Sequence, residues 1–171
     1  MINYSFVIPI YNRPEELNEL LASFPSQSDT KYELIIVEDG SEITSAEIIK
    51  EHAALPITYI SQENTGPGPA RNAGAKIAQG EWIIFLDSDT LLSSTYFKSL
   101  EHLAVNNSVD FFGGPDRIHP SFSPIQLAIG YSMTSFLSTG GIRGSKNSLE
   151  KFKPRSFNMG LRKEVFEQVG G

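Results

Sequence analysis

The order in which two hydrophobic periods alternate along this chain limits its fold more than any other property. Residues 4–10 form an apolar run with β-branched and aromatic members, the pattern of a strand. Pro14 then stands where a first helical turn tolerates proline, and Leu17, Leu20 and Leu21 recur at helical spacing as far as Phe24. The same change of period repeats. Strand-like residues 32–37 precede Thr44 and Glu47, a capping-box pattern that opens a short helix to His52. Residues 57–60 read as a third strand. The loop Gly66-Pro67-Gly68-Pro69 leads into Ala70, Ala73, Ala75, Ile77 and Ala78, a small-residue helix that stops before Gly80. Residues 82–86 form a fourth strand, Ser93 or Ser94 caps a helix to Asn106, and residues 109–112 form a fifth strand. Strands separated by helices and short connections predict an α/β domain with a mostly parallel sheet flanked by helices. With 171 residues, 40% of them hydrophobic, a single domain over 1–171 is the simplest organisation.

Beyond Gly113-Gly114 the rhythm changes. Residues 115–156 carry proline, glycine and serine punctuation around one apolar stretch, 125–137, which is too short and hydroxyl-rich to span a bilayer. A surface helix or loop is expected there. Residues 142–155 hold Arg143, Lys146, Lys151, Lys153 and Arg155 against Glu150, a local net of +4 in a chain of net −6. Such a run serves either as a solvated loop or as a contact for phosphate or anionic lipid. The acidic balance, 20 Asp and Glu against 14 Lys and Arg, argues against a nucleic-acid binder. The absence of cysteine removes disulfides, thiolate metal sites and cysteine nucleophiles together. No basic segment followed by a long apolar stretch opens the sequence, so a cytoplasmic location is expected, with Asn106-Asn107-Ser108 a helix-end coincidence and not a glycan site. His52, His102 and His119 have no ligand spacing and are assigned no chemistry.

In an open parallel sheet, ligands bind outside the carboxyl ends of the strands, so the residues that follow each strand are the informative ones. Pro9-Ile10-Tyr11-Asn12-Arg13 ends the first strand and Glu38-Asp39-Gly40-Ser41 the second. Arg71 lies one turn into the small-residue helix, and Asp87-Ser88-Asp89 ends the fourth strand. Alternate strand side chains point the same way, so the i, i+2 acids lie side by side. Two ionised carboxylates held together repel and invite a divalent cation. Each residue also has a plainer reading. Asp87 to Thr90 could be a solvated turn, Asp39 an Asx turn with Ser41, and Arg71 a surface partner of Glu63 or Glu81. Pro9 could merely end a strand, and Tyr11 could pack on the core edge. Together, an aromatic and an arginine, an acid able to accept from a base or ribose, and a metal clamp are what a nucleoside diphosphate requires.

The order Val7-Ile8-Pro9-Ile10-Tyr11-Asn12, Ile36-Val37-Glu38-Asp39-Gly40-Ser41, Gly68-Pro69-Ala70-Arg71-Asn72-Ala73-Gly74 and Phe85-Leu86-Asp87-Ser88-Asp89 resembles the family 2 glycosyltransferases of GT-A fold. The resemblance extends to Phe157-Asn158-Met159-Gly160-Leu161-Arg162-Lys163, Phe166 and Gly170-Gly171, similar to the family's acceptor-side segment. It implies a Rossmann-like sheet and a transfer, with inversion, from a nucleotide-diphospho-sugar, UDP expected, to a glycan or lipid-linked acceptor. Pro9, Tyr11, Arg13, Asp39, Arg71, Asp87 and Ser88 would hold the nucleotide-sugar, with Asp39 on the uracil. Asp87 and Asp89 would hold Mn²⁺ or Mg²⁺, Asp89 directly, as the Lewis acid for the departing diphosphate. Asp116 and Asn158 would face the sugar or acceptor. The general base that inversion needs is expected beyond Gly171, making the chain the donor-binding part of a longer enzyme in cell-envelope polysaccharide assembly, with peripheral contact at the inner membrane face. Other classes use related parts. A non-catalytic nucleotide-sugar-binding module would share the donor residues, a nucleotidyltransferase would want a glycine-rich loop after the first strand, and an NAD-dependent oxidoreductase would want a small residue where Arg71 stands.

Overall fold

The computed structural model describes residues 3–24, 30–105, 109–114, 123–134 and 157–170. Its strands are β1 (Tyr4–Ile10), β2 (Tyr32–Asp39), β3 (Ile57–Gln62), β4 (Trp82–Leu86), β5 (Phe111–Gly113) and β6 (Asn158–Arg162). Its helices are α1 (Pro14–Ser23), α2 (Ala46–Glu51), α3 (Pro67–Ile77), α4 (Tyr96–Val105), α5 (Pro124–Thr134) and α6 (Lys163–Val169). The strands form one sheet in the order β3-β2-β1-β4-β6-β5. β1 lies parallel to β2 and β4, β2 lies parallel to β3, and β6 runs antiparallel to both β4 and β5.

Period-two alternation divides the core into two layers. Tyr4, Phe6, Ile8 and Ile10 of β1 join Leu34 and Ile36 of β2 and Trp82, Ile84 and Leu86 of β4 in a layer covered by α1 and α4. Val7, Ile35, Val37, Ile83 and Phe85 point the other way, onto Ala70 and Ala75 of α3 and toward Val165 and Phe166 of α6. Here the helix comes unusually close. A Cβ on Gly74 would lie 2.5 Å from Val7 Cγ1 and 3.0 Å from Val37 Cγ2, so only glycine lets α3 settle onto β1 and β2.

Several boundaries differ from the sequence reading. β2 and β3 both run two residues further, because Glu38 pairs with Ser61 and Asp39 with Gln62. The expected Gly66–Pro69 loop is in fact the cap and first turn of α3, with Pro67 in the position where a missing N–H costs nothing. Thr44 does not cap α2. Ser45 stands at the cap without a side-chain bond, and its N–H goes instead to Glu38 Oε2 at 2.7 Å. The helix after β4 starts at Tyr96, whose N–H bonds the Ser93 carbonyl at 2.9 Å, and β5 is shifted to residues 111–113. β6 was not legible as a strand. Gly160 interrupts its apolar pattern, and it leaves room for the Phe112 ring of the paired strand, which a Cβ there would displace. The apolar stretch expected on the surface includes α5, which exposes Ile125, Leu127, Ile129 and Tyr131.

The Gly74 contact yields a direct test. Alanine gains about 1 kcal/mol in a helix interior, whereas overpacking of a close contact costs about 1–3 kcal/mol. Gly74→Ala is therefore expected to lower the urea midpoint of unfolding, and an unchanged or raised midpoint would refute the close packing of α3.

Candidate functional site

The site begins where β2 runs out. Strand alternation sends its last two acids to opposite faces, and their surroundings differ accordingly. Glu38, 1% exposed, turns toward α2. Its carboxylate accepts from the Ser41 hydroxyl, from the Ser45 N–H at 2.7 Å and from the Tyr59 hydroxyl at 3.1 Å. Burial, with the charge and hydrogen bond of Glu38, pushes the Tyr59 phenol up to about 12, so it remains a donor. Asp39, 3% exposed, turns toward the start of α3. Its Oδ1 accepts from the Gln62 amide at 2.8 Å, the Thr65 N–H at 3.0 Å and the Thr65 hydroxyl at 3.3 Å, while Oδ2 accepts from the Gly66 N–H at 2.8 Å. Gly66 caps α3, so this carboxylate also lies at the positive end of a helix dipole. Burial alone would raise the Asp39 carboxyl, but the bonds from Thr65, Gln62 and Gly66 outweigh it and hold the group below its ordinary value.

Asn12 ties the loop after β1 to the loop after β2. It adopts a left-handed backbone, φ 54°, a conformation asparagine tolerates better than most residues. Its N–H donates to Ser41 Oγ at 2.8 Å, and its Oδ1 accepts from the N–H groups of Glu42 at 2.8 Å and Ile43 at 3.0 Å. Tyr11 and Arg13 flank this clasp, and Tyr11 is half exposed and not packed into the core edge. Pro9 lies beyond the last pair of β1 with β4, Val7 with Phe85, while its pairing with Val37 of β2 continues, so it sits where β1 is paired on one side alone.

At the end of β4, Arg71 of α3 donates from Nη2 to Asp87 Oδ1 at 2.6 Å. Neither Glu63 nor Glu81 is its partner; Glu81 pairs with Arg162 instead. Arg71 Nε is buried with no partner among the described residues. The Asp87 N–H bonds the Phe157 carbonyl at 3.3 Å, and Ser88 is buried. Asp89 remains largely exposed, with Arg13 Nη1 3.7 Å from its Oδ2. An exposed pair at that distance is worth about 0–1 kcal/mol, so a ligand can displace it at little cost.

Pro9, Tyr11, Arg13, Asp39, Arg71, Asp87, Ser88 and Asp89 thus share the carboxyl edge of the sheet and the start of α3. Asn158 adjoins them, paired with Leu86, with its Oδ1 accepting from the Tyr96 hydroxyl at 2.7 Å. Asp116, the basic residues of 142–155 and the sequon-like 106–108 lie outside the described residues. Asn12, Gln62 and Thr65 were not singled out in the sequence. Their roles depend on loop closure between strands, and an asparagine just past a strand was the one local hint.

The chain matches the glycosyl transferase family 2 model over residues 5–170, and it belongs to that family. Its relatives include GlyA of Streptococcus pneumoniae, 34% identical over 63% of this chain and 16% of that protein. A poly(ribitol-phosphate) beta-glucosyltransferase of Bacillus spizizenii is 38% identical over 53% of this chain and 15% of that protein. An uncharacterized glycosyltransferase of Haemophilus influenzae is 33% identical over 66% of this chain and 38% of its own length, so the chain spans well under half of these curated relatives. The fold is GT-A. Staphylococcus aureus TarS 1-349 in complex with UDP-GlcNAc superposes with a TM-score of 0.74 at 21% identity, over 98% of this chain and 47% of that one. The mannosyltransferase PcManGT from Pyrobaculum calidifontis, in complex with GDP-Man and Mn2+, gives 0.74 at 18% identity, over 99% and 47%.

The depressed Asp39 carboxyl makes stability depend on pH. Between the folded and the higher unfolded value the unfolded chain binds more protons, so this contribution is whole above the ordinary aspartate range, about pH 4, and is lost as pH falls through the folded value. Urea midpoints measured from about pH 6 down to about pH 3 are expected to fall less steeply for Asp39→Asn than for the wild type. Parallel slopes would contradict the assignment.

Proposed function

We propose that this chain holds the nucleotide-diphosphate end of a UDP-sugar at the carboxyl ends of β1, β2 and β4, and serves a glycosyltransferase that passes the sugar with inversion to a glycan or lipid-linked acceptor. The observation that carries this reading is the convergence of a buried carboxylate acceptor, Asp39, with Arg71 and the Asp87/Asp89 pair on one edge. Asp39 receives the base, Tyr11 and Arg13 flank the nucleoside and phosphates, and Arg71 positions Asp87. Family membership supports transfer, and the UDP-GlcNAc complex of TarS supports a uridine donor.

The donor set fits a hard divalent cation. Asp87 and Asp89 supply oxygen ligands, and Mg²⁺ or Mn²⁺ ordinarily takes one or two carboxylates and completes its shell with substrate phosphates and water. Among the described residues no group of three or more His, Cys, Asp or Glu converges, so the protein alone would not cage the ion. When bound, such an ion supplies Lewis-acid neutralisation of the diphosphate. Asp87 keeps Oδ2 available while Oδ1 anchors Arg71, and Asp89 needs only to release Arg13. Asp116 and Asn158 would contact the sugar or acceptor, Asn158 through the amide nitrogen that its bond to Tyr96 leaves free. The acceptor hydroxyl gives its proton to a general base during attack, a role assigned to no residue of this chain.

Thermal unfolding with UDP, GDP and NAD, each with and without Mn²⁺, tests the reading. UDP at about 100 times its dissociation constant is expected to add about 2.7 kcal/mol, with most of the effect requiring Mn²⁺. Asp89→Asn, at an exposed position, is expected to remove the metal-dependent part while leaving the unliganded protein as stable as before. Stabilisation by NAD, or none by UDP, overturns it.

A peripheral membrane contact completes the proposal. Among the described residues no helix is long and apolar enough to cross a membrane. α5 nevertheless exposes Ile125, Ile129 and Tyr131, and the sequence after it carries the +4 run of 142–155, whose charge supports contact with an anionic surface. Each basic residue near such a surface contributes about 1 kcal/mol. Reversing Lys146, Lys151 and Lys153 to glutamate is expected to abolish co-sedimentation with vesicles containing anionic lipid, and undiminished binding would refute the contact.

A further inference from the structure

The nucleotide reading leaves open why Asp39 is surrounded by so many donors, and the answer bears on which base it accepts. We propose that Gln62 and Thr65 determine base specificity by filling one oxygen of Asp39, so that the carboxylate accepts a single ring N–H and takes uracil in preference to guanine. This rests on Asp39 being the base acceptor.

A carboxylate offers about four lone-pair positions, two on each oxygen. Oδ1 already receives three donors, from the Gln62 amide, the Thr65 N–H and the Thr65 hydroxyl, whose 3.3 Å contact is the longest. Gln62 also donates to Thr65 Oγ1 at 2.7 Å, which fixes the two side chains against each other. Oδ1 has nothing left to offer a ligand. Oδ2 receives only the Gly66 N–H and keeps one position. Because Asp39 is held ionised, it cannot donate, and the ring nitrogens that carry no hydrogen, N3 of cytosine and N1 of adenine, find no partner in it.

The remaining choice is between two bases with a ring N–H. Uracil presents one donor, N3–H, between two carbonyls, and a single free lone pair satisfies it. Guanine presents two neighbouring donors, N1–H and the exocyclic amine, and a carboxylate matches them only when both oxygens are free. Here the amine would be left against a saturated oxygen, and an unpaired donor at a buried site discriminates strongly against its owner. Residues from the ends of two strands therefore act as one reader: Asp39 supplies the acceptor, and Gln62 with Thr65 sets how many donors it can take.

The test compares UDP and GDP binding, by calorimetry with Mn²⁺ present, in the wild type and in a Gln62→Leu/Thr65→Val variant that keeps the Thr65 backbone N–H. Thr65 is exposed and Gln62 half-buried, and the single substitutions, checked by urea unfolding, separate a binding change from a folding defect. The wild type is expected to prefer UDP by about tenfold or more, and the double variant to lose most of that preference through tighter GDP binding. A wild type without preference, or a variant that keeps the full preference while folded, overturns the inference and leaves the nucleotide site standing. Binding of neither nucleotide by the wild type overturns the underlying reading of the site, and with it this one.

Discussion

The close seating of α3 on the sheet is the constraint from which the site follows. With Gly74 against Val7 and Val37, the helix has only one depth at which it packs, and that depth sets two things at its amino end. The N–H groups of Thr65 and Gly66 reach Asp39, and the Arg71 side chain reaches Asp87. One packing contact thus connects the ends of β2 and β4. The amino edge of the sheet secures the other end of the same helix. Buried Ser5 and Glu33 share a short hydrogen bond, and between them they receive the N–H groups of Gln79 and Gly80 that follow α3. The helix is thus hydrogen-bonded to the sheet at both ends.

The two acids that close β2 divide the labour. Glu38 faces inward and fixes the loop through Ser41, Ser45 and Tyr59, and Ser41 in turn receives the Asn12 N–H. Asp39 faces the site with its charge met by four donors. The loops that carry Tyr11, Arg13 and Asp39 are therefore ordered before binding, which spares a ligand much of the entropy cost of arranging them. Asp89 and Arg13 differ in kind. Their exposed, loose pair is the adjustable part of an otherwise fixed edge.

Much of this was written locally. The hydrophobic periods give the first five strands and the four helices between them in order, and the residues just past each strand supply nearly every side chain on the edge, because a parallel sheet delivers its carboxyl ends to one side. What escaped was whatever depends on contacts between distant segments. Arg71 has three acids within sequence reach, and only the seating of α3 selects Asp87 over Glu63 and Glu81. β2 and β3 lengthen because each supplies the other's partners, and β6 becomes a strand only when Phe112 occupies the space its glycine vacates. Thr44 reads as the helix cap locally, and only the structure moves the cap to Ser45, whose N–H goes to Glu38, seven residues earlier.

The position of β6 has a consequence for how the chain acquires its shape. It is made last among the described strands, yet it separates β4 from β5, so β5 has no place in this sheet until residues 158–162 have been synthesised. Strands β3, β2, β1 and β4 can assemble earlier from contacts that form in order of synthesis, and during that interval β4 is an open edge beside which its own acidic turn already stands. Arrival of β6 closes that edge and bonds the Phe157 carbonyl to the Asp87 N–H in the same step. The nascent chain thus builds the Asp39 side of this edge first and fixes its acidic turn only when β6 docks.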